Sequence, residues 1–180
     1  MPYWHAYYHL VWATRERARI IQPAIEPRLY AYIVRKAAEN GAYVYAINGW
    51  YDPIHLIAAI PPSVAVANLV MRMKGASAHD LDHFTQGDGT FGWQRGHGVL
   101  TLGNQKLGAA VEYVARQKQH HQEGTPLPIL EHYSEDEEGP RDHGLTPEPV
   151  PGVPGMLRET AAGYNARETL GDDADETWPF

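Results

Sequence analysis

The sequence predicts an α+β fold, an antiparallel sheet with helices packed on one face. Two observations lead to this class. Short apolar runs typical of strands are interleaved with longer runs at helical spacing, and the runs follow one another in the order β-α-β-β-α-β-α. This order is related to the ferredoxin-like sandwich, in which helices cover a sheet of antiparallel strands.

The first element is predicted to be a strand. Residues 3–13 alternate in character around tyrosines and β-branched Val11. Because successive side chains of a strand project to opposite faces, Leu10 and Trp12 share one face and His9 shares the other with Val11. The predicted strand therefore has one histidine-bearing face.

A helix and a hairpin are predicted next. Residues 25–40 repeat apolar side chains at helical spacing and are followed by Gly41, a residue typical of helix ends. Residues 42–50 and 54–60 are apolar and rich in strand-forming residues. The turn sequence Tyr-Asp-Pro between them predicts that the two strands form a hairpin.

Three further elements complete the predicted domain. Residues 64–81 have helical periodicity, residues 91–102 are typical of a strand, and residues 105–119 predict a closing helix. The Gly-Asp-Gly sequence at 87–89 lacks the lysine and hydroxyl residue of a phosphate-binding loop, so we interpret it as a turn.

Charge and proline content divide the chain into a domain at 1–122 and a tail at 123–180. The first part holds 12 Lys and Arg against 8 Asp and Glu, whereas the second holds 3 against 14 and eight of the 14 prolines. We expect irregular structure in such a tail. A solvated tail is the simpler interpretation, and a tail that folds back as an electrostatic mimic of DNA is the alternative.

Composition also limits the chemistry. The 180 residues include no cysteine, so a bound metal would be held by histidine, carboxylate or amide groups. The lack of cysteine favours a cytoplasmic protein. No basic stretch precedes an apolar run at the N-terminus, and no run approaches 18 apolar residues, so we expect neither export nor a membrane span.

Three ordered groups of motifs together resemble one family. They are Tyr-His-Leu-Val-Trp-Ala-Thr-Arg-Glu-Arg at 8–17; Asp-Pro-Ile-His-Leu-Ile at 52–57, with Ile-Pro-Pro at 60–62 and Met-Lys-Gly at 73–75; and Phe-Gly-Trp-Gln-Arg-Gly-His-Gly at 91–98, with Glu-Tyr-Val-Ala-Arg-Gln at 112–117 and His-His at 120–121. Over residues 7–122 the chain is similar to the small single-tyrosine HUH transposases of insertion sequences and REP-associated tyrosine transposases.

The resemblance implies that Tyr113 is the nucleophile and that His55 and Gln117 are metal ligands for Mg²⁺ or Mn²⁺. It implies cleavage of single-stranded, hairpin-forming DNA through a 5′-phosphotyrosine link, by a homodimer in which the tyrosine of one chain completes the site of the other. Spacing agrees with these roles, because Tyr113 and Gln117 are four apart and share one face of a helix. A tyrosine hydroxyl, with an ordinary pKa of about 10, needs such a cation to act near neutral pH.

The chain departs from the family at Pro53, where the HUH motif has its first histidine. Proline has no side-chain ligand, so we expect reduced activity. We expect water to fill the vacant coordination position, since hard cations readily keep waters. The side chains that could replace it are His9, Asp52, His97 and His121.

The resemblance and the position of basic residues predict a DNA-binding surface. Arg15, Arg17 and Arg19 follow Trp12 in a loop that could bind phosphates and stack on bases, or simply be solvated. Lys74 lies on the helix that carries the family's Lys-Gly motif. Further along, that helix has Asp80 and Asp82 where relatives commonly have arginines, which predicts weaker DNA affinity.

Two other functions remain open. The chain could be a domesticated, catalytically silent protein that binds structured single strands, with Pro53 as the mark of relaxed selection. It could also be a structural dimer whose acidic tail mediates protein contacts. The spacing of Tyr113 and Gln117 favours the enzyme, and Pro53 with the acidic helix favours the silent binding protein.

Overall fold

A four-stranded antiparallel sheet forms the centre of the protein. The computed structural model describes residues 3–85 and 91–131. The strands are β1 (Tyr7–Ala13), β2 (Tyr43–Gly49), β3 (Pro53–Ala59) and β4 (Gly98–Leu102). They lie in the spatial order β2-β3-β1-β4, with β1 paired to both β3 and β4. The predicted α+β class with an antiparallel sheet is confirmed.

Two long helices cover one face of this sheet. They are α1 (Glu26–Glu39) and α2 (Val66–Phe84). Their apolar stripes pack on Leu10 and Trp12 of β1, as the alternation of that strand predicts. At the end of α1, Gly41 has φ +78°, a conformation that glycine adopts without steric cost. The buried apolar cluster is therefore built mainly from this face.

Within the described residues, three short α-helices follow β4: α3 (Leu107–Ala115), α4 (Gln117–Glu123) and α5 (Pro128–Glu131). Side chains of α4 reach His55 of β3, whereas the adjacent Leu56 belongs to the cluster under α1 and α2. Because neighbouring residues of a strand face opposite ways, α4 lies on the other face of the sheet. The histidine-bearing face predicted for β1 is thus also covered.

The prediction of one closing helix over 105–119 is wrong, because the helix divides at Arg116 (φ −98°, ψ 13°). A tertiary contact accounts for the break. The side-chain amide of Asn48 on β2 donates a hydrogen bond to the carbonyl of Ala115 at 2.9 Å, so this carbonyl has a partner outside the helix. No local feature of residues 105–119 encodes this contact.

The strand predicted over 91–102 is shorter than expected. Only Gly98–Leu102 is a strand, and Trp93 makes a single bridge to Thr14. Trp93 instead packs edge-on against Trp12 and donates a hydrogen bond from Nε1 to Ser77 Oγ at 3.0 Å. These contacts hold residues 91–97 as a loop against α2.

The turn predicted at 87–89 and the tail beyond residue 131 lie outside the described residues. No described helix combines the length and apolar character that crossing a membrane would need.

Gly49 is required by the close approach of β2 to β3. A Cβ at this position would lie 2.1 Å from the carbonyl oxygen of Pro53. We expect Gly49→Ala to lower the free energy of unfolding by roughly 2–3 kcal/mol through overpacking, as measured by urea denaturation. In Gly108→Ala, where no atom of the described residues lies within 4 Å of the added carbon, stability should be unchanged or slightly raised. Equal effects of the two substitutions would contradict the steric argument.

Candidate active site

His55 is the centre of a buried polar cluster on the face of the sheet under α4. Its side chain is fully buried, although a histidine in a strand core would ordinarily carry an energetic cost. Both ring nitrogens have partners: Nδ1 lies 3.1 Å from His9 Nε2, and Nε2 lies 3.0 Å from the side-chain nitrogen of Gln117. The ring is therefore held from both sides.

His9 supports His55 from the neighbouring strand. The two rings are nearly parallel, with centroids 5.3 Å apart. Burial, followed by the proximity of His55, lowers the pKa of His9 to about 4, so His9 is neutral at physiological pH. A neutral imidazole offers one donor and one acceptor nitrogen, and it can therefore hold the His55 ring whether or not Nδ1 carries a proton.

Gln117, the first residue of α4, is also fully buried. Its side-chain nitrogen lies 3.0 Å from His55 Nε2, 3.0 Å from His121 Nε2 and 2.6 Å from Glu131 Oε1. An amide nitrogen has two hydrogens, so three neighbours exceed what it can satisfy. The amide oxygen Oε1 is buried without a hydrogen-bond partner among the described residues.

Tyr113 lies at the rim of the same cluster. Its hydroxyl donates to Glu131 Oε1 at 3.0 Å and accepts the backbone N–H of Leu127 at 2.9 Å. The ring stacks on His120 with centroids 4.6 Å apart. Burial is the main cause that raises the pKa of Tyr113, so the hydroxyl is protonated at neutral pH.

Glu131 joins the other members of the cluster. One carboxylate oxygen contacts Tyr113 and Gln117, and the second lies 3.1 Å from His55 Nε2. Burial by itself would raise the pKa of Glu131, but hydrogen bonding and charge interaction with His55, and then the bonds from Gln117 and Tyr113, lower it to about 2. The carboxylate is therefore ionised, although it lies within the segment predicted to be tail.

Sequence reasoning did not identify Glu131 as a site residue. It is one of 14 acidic residues at 123–180, and no motif or spacing distinguishes it from the others. Only the fold of residues 124–131, which brings α5 back over Tyr113, reveals its position. The predicted division at residue 122 stays a prediction, but the site draws on residues beyond it.

The predicted metal ligands meet in the structure. His55 Nε2 and the Gln117 amide are adjacent. The buried Gln117 oxygen has no partner in the described part of the chain, which fits an amide that would turn to ligate a cation. Pro53 begins β3 opposite Ala13 and contributes no ligand. Imidazole, amide and carboxylate groups form a suitable ligand set for Mg²⁺ or Mn²⁺.

The four side chains that could replace the ligand lost at Pro53 lie in different places, and only one of them contacts Gln117. Asp52 is paired with Arg17 at 2.8 Å. His97 lines a groove beside α2, and His9 lies behind His55. His121, in contrast, reaches the Gln117 amide and stacks on Trp50 with centroids 5.9 Å apart.

The predicted DNA-binding residues form two groups. Arg15 and Lys74 line a groove of about 490 Å³ between α2 and the loop at 91–97, where Lys74 donates to the carbonyls of Gln94 and Gly96 at 2.7 and 2.6 Å. Arg17 is bound to Asp52, and the guanidinium of Arg19 lies 4.4 Å from the centre of the Tyr51 ring. Lys74 thus has a structural role, and DNA binding by all four basic residues stays a prediction.

The antiparallel sheet, with a histidine strand and a tyrosine helix on one face, is the arrangement expected of tyrosine transposases. Residues 2–117 match the family described as "Transposase IS200 like". The chain belongs to this family, and the predicted recognition is confirmed.

Individual relatives agree with this assignment. The ISDra2 transposase TnpA of Deinococcus radiodurans is 30% identical over 74 residues, which cover 41% of this chain and 53% of that protein. The chain thus matches about half the length of this curated relative.

Solved structures share the fold. A crystal structure of a candidate transposase from D. radiodurans is similar with a TM-score of 0.51 and 24% identity, covering 71% of this chain and 97% of that one. A REP-associated tyrosine transposase bound to a REP hairpin is similar with a TM-score of 0.52 and 13% identity, covering 70% and 76%.

Proposed function

We propose that this protein cleaves single-stranded, hairpin-forming DNA in the cytoplasm and transfers the strand through a covalent 5′-phosphotyrosine intermediate at Tyr113. The observation that carries the proposal is the meeting of three side chains on one carboxylate. The hydroxyl of Tyr113, the amide of Gln117 and the imidazole of His55 all contact Glu131 at 2.6–3.1 Å. A nucleophile and metal-binding groups are thereby collected in one place.

The residues have distinct roles in this mechanism. Tyr113 would attack the scissile phosphorus, with release of a 3′-hydroxyl, and a second 3′-hydroxyl would later displace the tyrosine. The bond to Glu131 Oε1 orients the phenol before attack. A divalent cation, Mg²⁺ or Mn²⁺, held by His55 and Gln117 would supply polarisation of the phosphate and stabilise developing charge.

Tyr113 and His55 lie together within one chain of this structure. The homodimer implied by the resemblance remains part of the proposal, and size-exclusion chromatography with light scattering would measure it.

The direct test uses labelled single-stranded hairpin DNA incubated with the full chain and Mn²⁺. Strand cleavage through tyrosine predicts a labelled protein adduct that survives a denaturing gel. The adduct should disappear when EDTA is added before the DNA. Hairpin binding without an adduct at any Mg²⁺ or Mn²⁺ concentration would contradict the catalytic proposal.

A catalytically silent hairpin-binding protein is the second candidate. The observation that favours it is Pro53, which removes a metal ligand from the motif. The same gel decides between the two, because both proteins would retard the hairpin under native conditions and only the enzyme would become labelled.

We expect Arg15→Gln to weaken hairpin binding. Arg15 lines the groove with Lys74 and Arg95, so a phosphate placed there would be neutralised in part by its guanidinium. Loss of one contact to a single strand should reduce the slope of log affinity against log salt by about 0.7, as measured by fluorescence anisotropy. Exposed Arg35, on α1 next to Glu39, provides a matched Arg35→Gln control. If the salt-dependence slope of Arg15→Gln equalled that of the wild type, the groove would not be part of the DNA-binding surface.

A further inference from the structure

His121 and Glu131 surround the same point as the predicted metal ligands. A nitrogen of His55, a nitrogen of His121 and a carboxylate oxygen of Glu131 all lie within 4.8 Å of one another. His55 is fully buried, and the side chains of His121 and Glu131 are 18% and 20% exposed. Three side chains that commonly bind metals therefore converge from β3, α4 and α5.

The hydrogen bonding around this point is incomplete without a cation. The Gln117 amide nitrogen faces both histidines and the carboxylate, which is one acceptor more than its two hydrogens can serve. Its oxygen is buried and has no hydrogen-bond partner within residues 3–85 and 91–131. A half-turn of the amide would exchange nitrogen and oxygen, which would direct the oxygen toward the same point as the other ligand atoms.

We propose that His121 and Glu131 replace the ligand lost at Pro53, so that His55, His121, Glu131 and the Gln117 amide oxygen together bind one divalent cation, Mn²⁺ in preference to Mg²⁺. The inference rests on the proposed function only in placing the cation next to Tyr113.

The positions of His121 and Glu131 explain how these two side chains reach the point where the cation would bind. His121 follows Gln117 by four residues, so both project from the same side of α4. Stacking on Trp50 orients the His121 ring. Glu131 is brought in by α5, and the bond from the Leu127 N–H to the Tyr113 hydroxyl helps to hold the preceding segment. Residues 127–131 thus contribute to the metal centre.

The chemistry of the ligands sets the preference among cations. Mg²⁺ favours oxygen ligands and retained waters, whereas Mn²⁺ accepts imidazole nitrogen more readily. Two imidazoles with a carboxylate and an amide oxygen therefore favour Mn²⁺. We expect the full chain to bind Mn²⁺ at least about tenfold more tightly than Mg²⁺.

Metal binding is measured without DNA, by isothermal titration of the metal-free full chain with MnCl₂. His79 and His83 are a second pair of imidazoles, with ring nitrogens 3.2 Å apart on the exposed side of α2, so every titration is made in a His79→Ala background. The variants are His121→Ala and Glu131→Gln. The controls are His5→Ala and Glu123→Gln, which change exposed residues of the same types.

We expect one Mn²⁺ site, with affinity lowered at least about tenfold by either ligand substitution and unchanged in both controls. Glu131→Gln preserves side-chain size, and circular dichroism establishes that each variant is folded. Affinity within twofold of the parent in either folded ligand variant would overturn the ligand set. Normal Mn²⁺ binding without any DNA adduct would instead refute the proposed function and leave the metal site intact.

Discussion

Tyr113→Phe is expected to abolish the covalent DNA adduct while hairpin binding persists. Phenylalanine lacks the oxygen that would bond to phosphorus, and no other described hydroxyl shares the contacts of Tyr113 with Glu131 and Leu127. The loss should be on the order of 10³-fold or more, as for removal of a catalytic nucleophile. The measurement is labelled adduct on a denaturing gel, alongside a native binding assay.

The matched control for this substitution is Tyr43→Phe. Tyr43 is 64% exposed at the start of β2, so loss of its hydroxyl should leave adduct formation unchanged. The Tyr113 hydroxyl also joins α3 to the segment before α5, and its removal should cost about 1 kcal/mol of stability. An adduct that persists in folded Tyr113→Phe would show that another residue is the nucleophile.

His55→Ala is expected to have the second largest effect, because it removes the central group of the cluster. Metal binding should fall below detection in the Mn²⁺ titration, and adduct formation should fall by at least about 100-fold through loss of phosphate polarisation. The cavity and the unpaired His9 nitrogen would also destabilise the fold, by roughly 2–4 kcal/mol. Activity is therefore measured at a temperature where circular dichroism shows the variant to be folded.

His55→Gln separates the two effects. Glutamine fills much of the cavity and offers an amide, so stability should recover more than metal affinity does. The exposed substitution His5→Ala serves as the control. If His55→Ala retained wild-type Mn²⁺ affinity and adduct yield, this strand histidine would have no part in the site.

Most of the fold could be predicted from local patterns. Alternation in β1 correctly placed Leu10 and Trp12 on one face and His9 on the opposite face, and the structure shows that the face of Leu10 and Trp12 packs in the core. Helical spacing found α1 and α2, and Gly41 marked the end of α1. These predictions succeeded because apolar residues repeat in the sequence with the period of the strand or helix that buries them.

The wrong boundaries have a common physical cause. The break at Arg116 follows a hydrogen bond from Asn48, and the shortened fourth strand follows the packing of Trp93 on Trp12. Each partner is distant in sequence, so the residues of the predicted element do not themselves reveal the contact. Such contacts override local propensity when they satisfy a backbone carbonyl or bury an aromatic ring.

The sequence by itself determined the α+β class, the family resemblance, and the choice of Tyr113, His55 and Gln117 as candidate site residues. Only the tertiary structure decided that His9, His121 and Glu131 join them, because these side chains come from a neighbouring strand, the continuation of the closing helix and the segment beyond it. Ligand geometry depends on distances of about 3 Å between groups far apart in sequence. Chain folding sets those distances, and residue spacing alone does not.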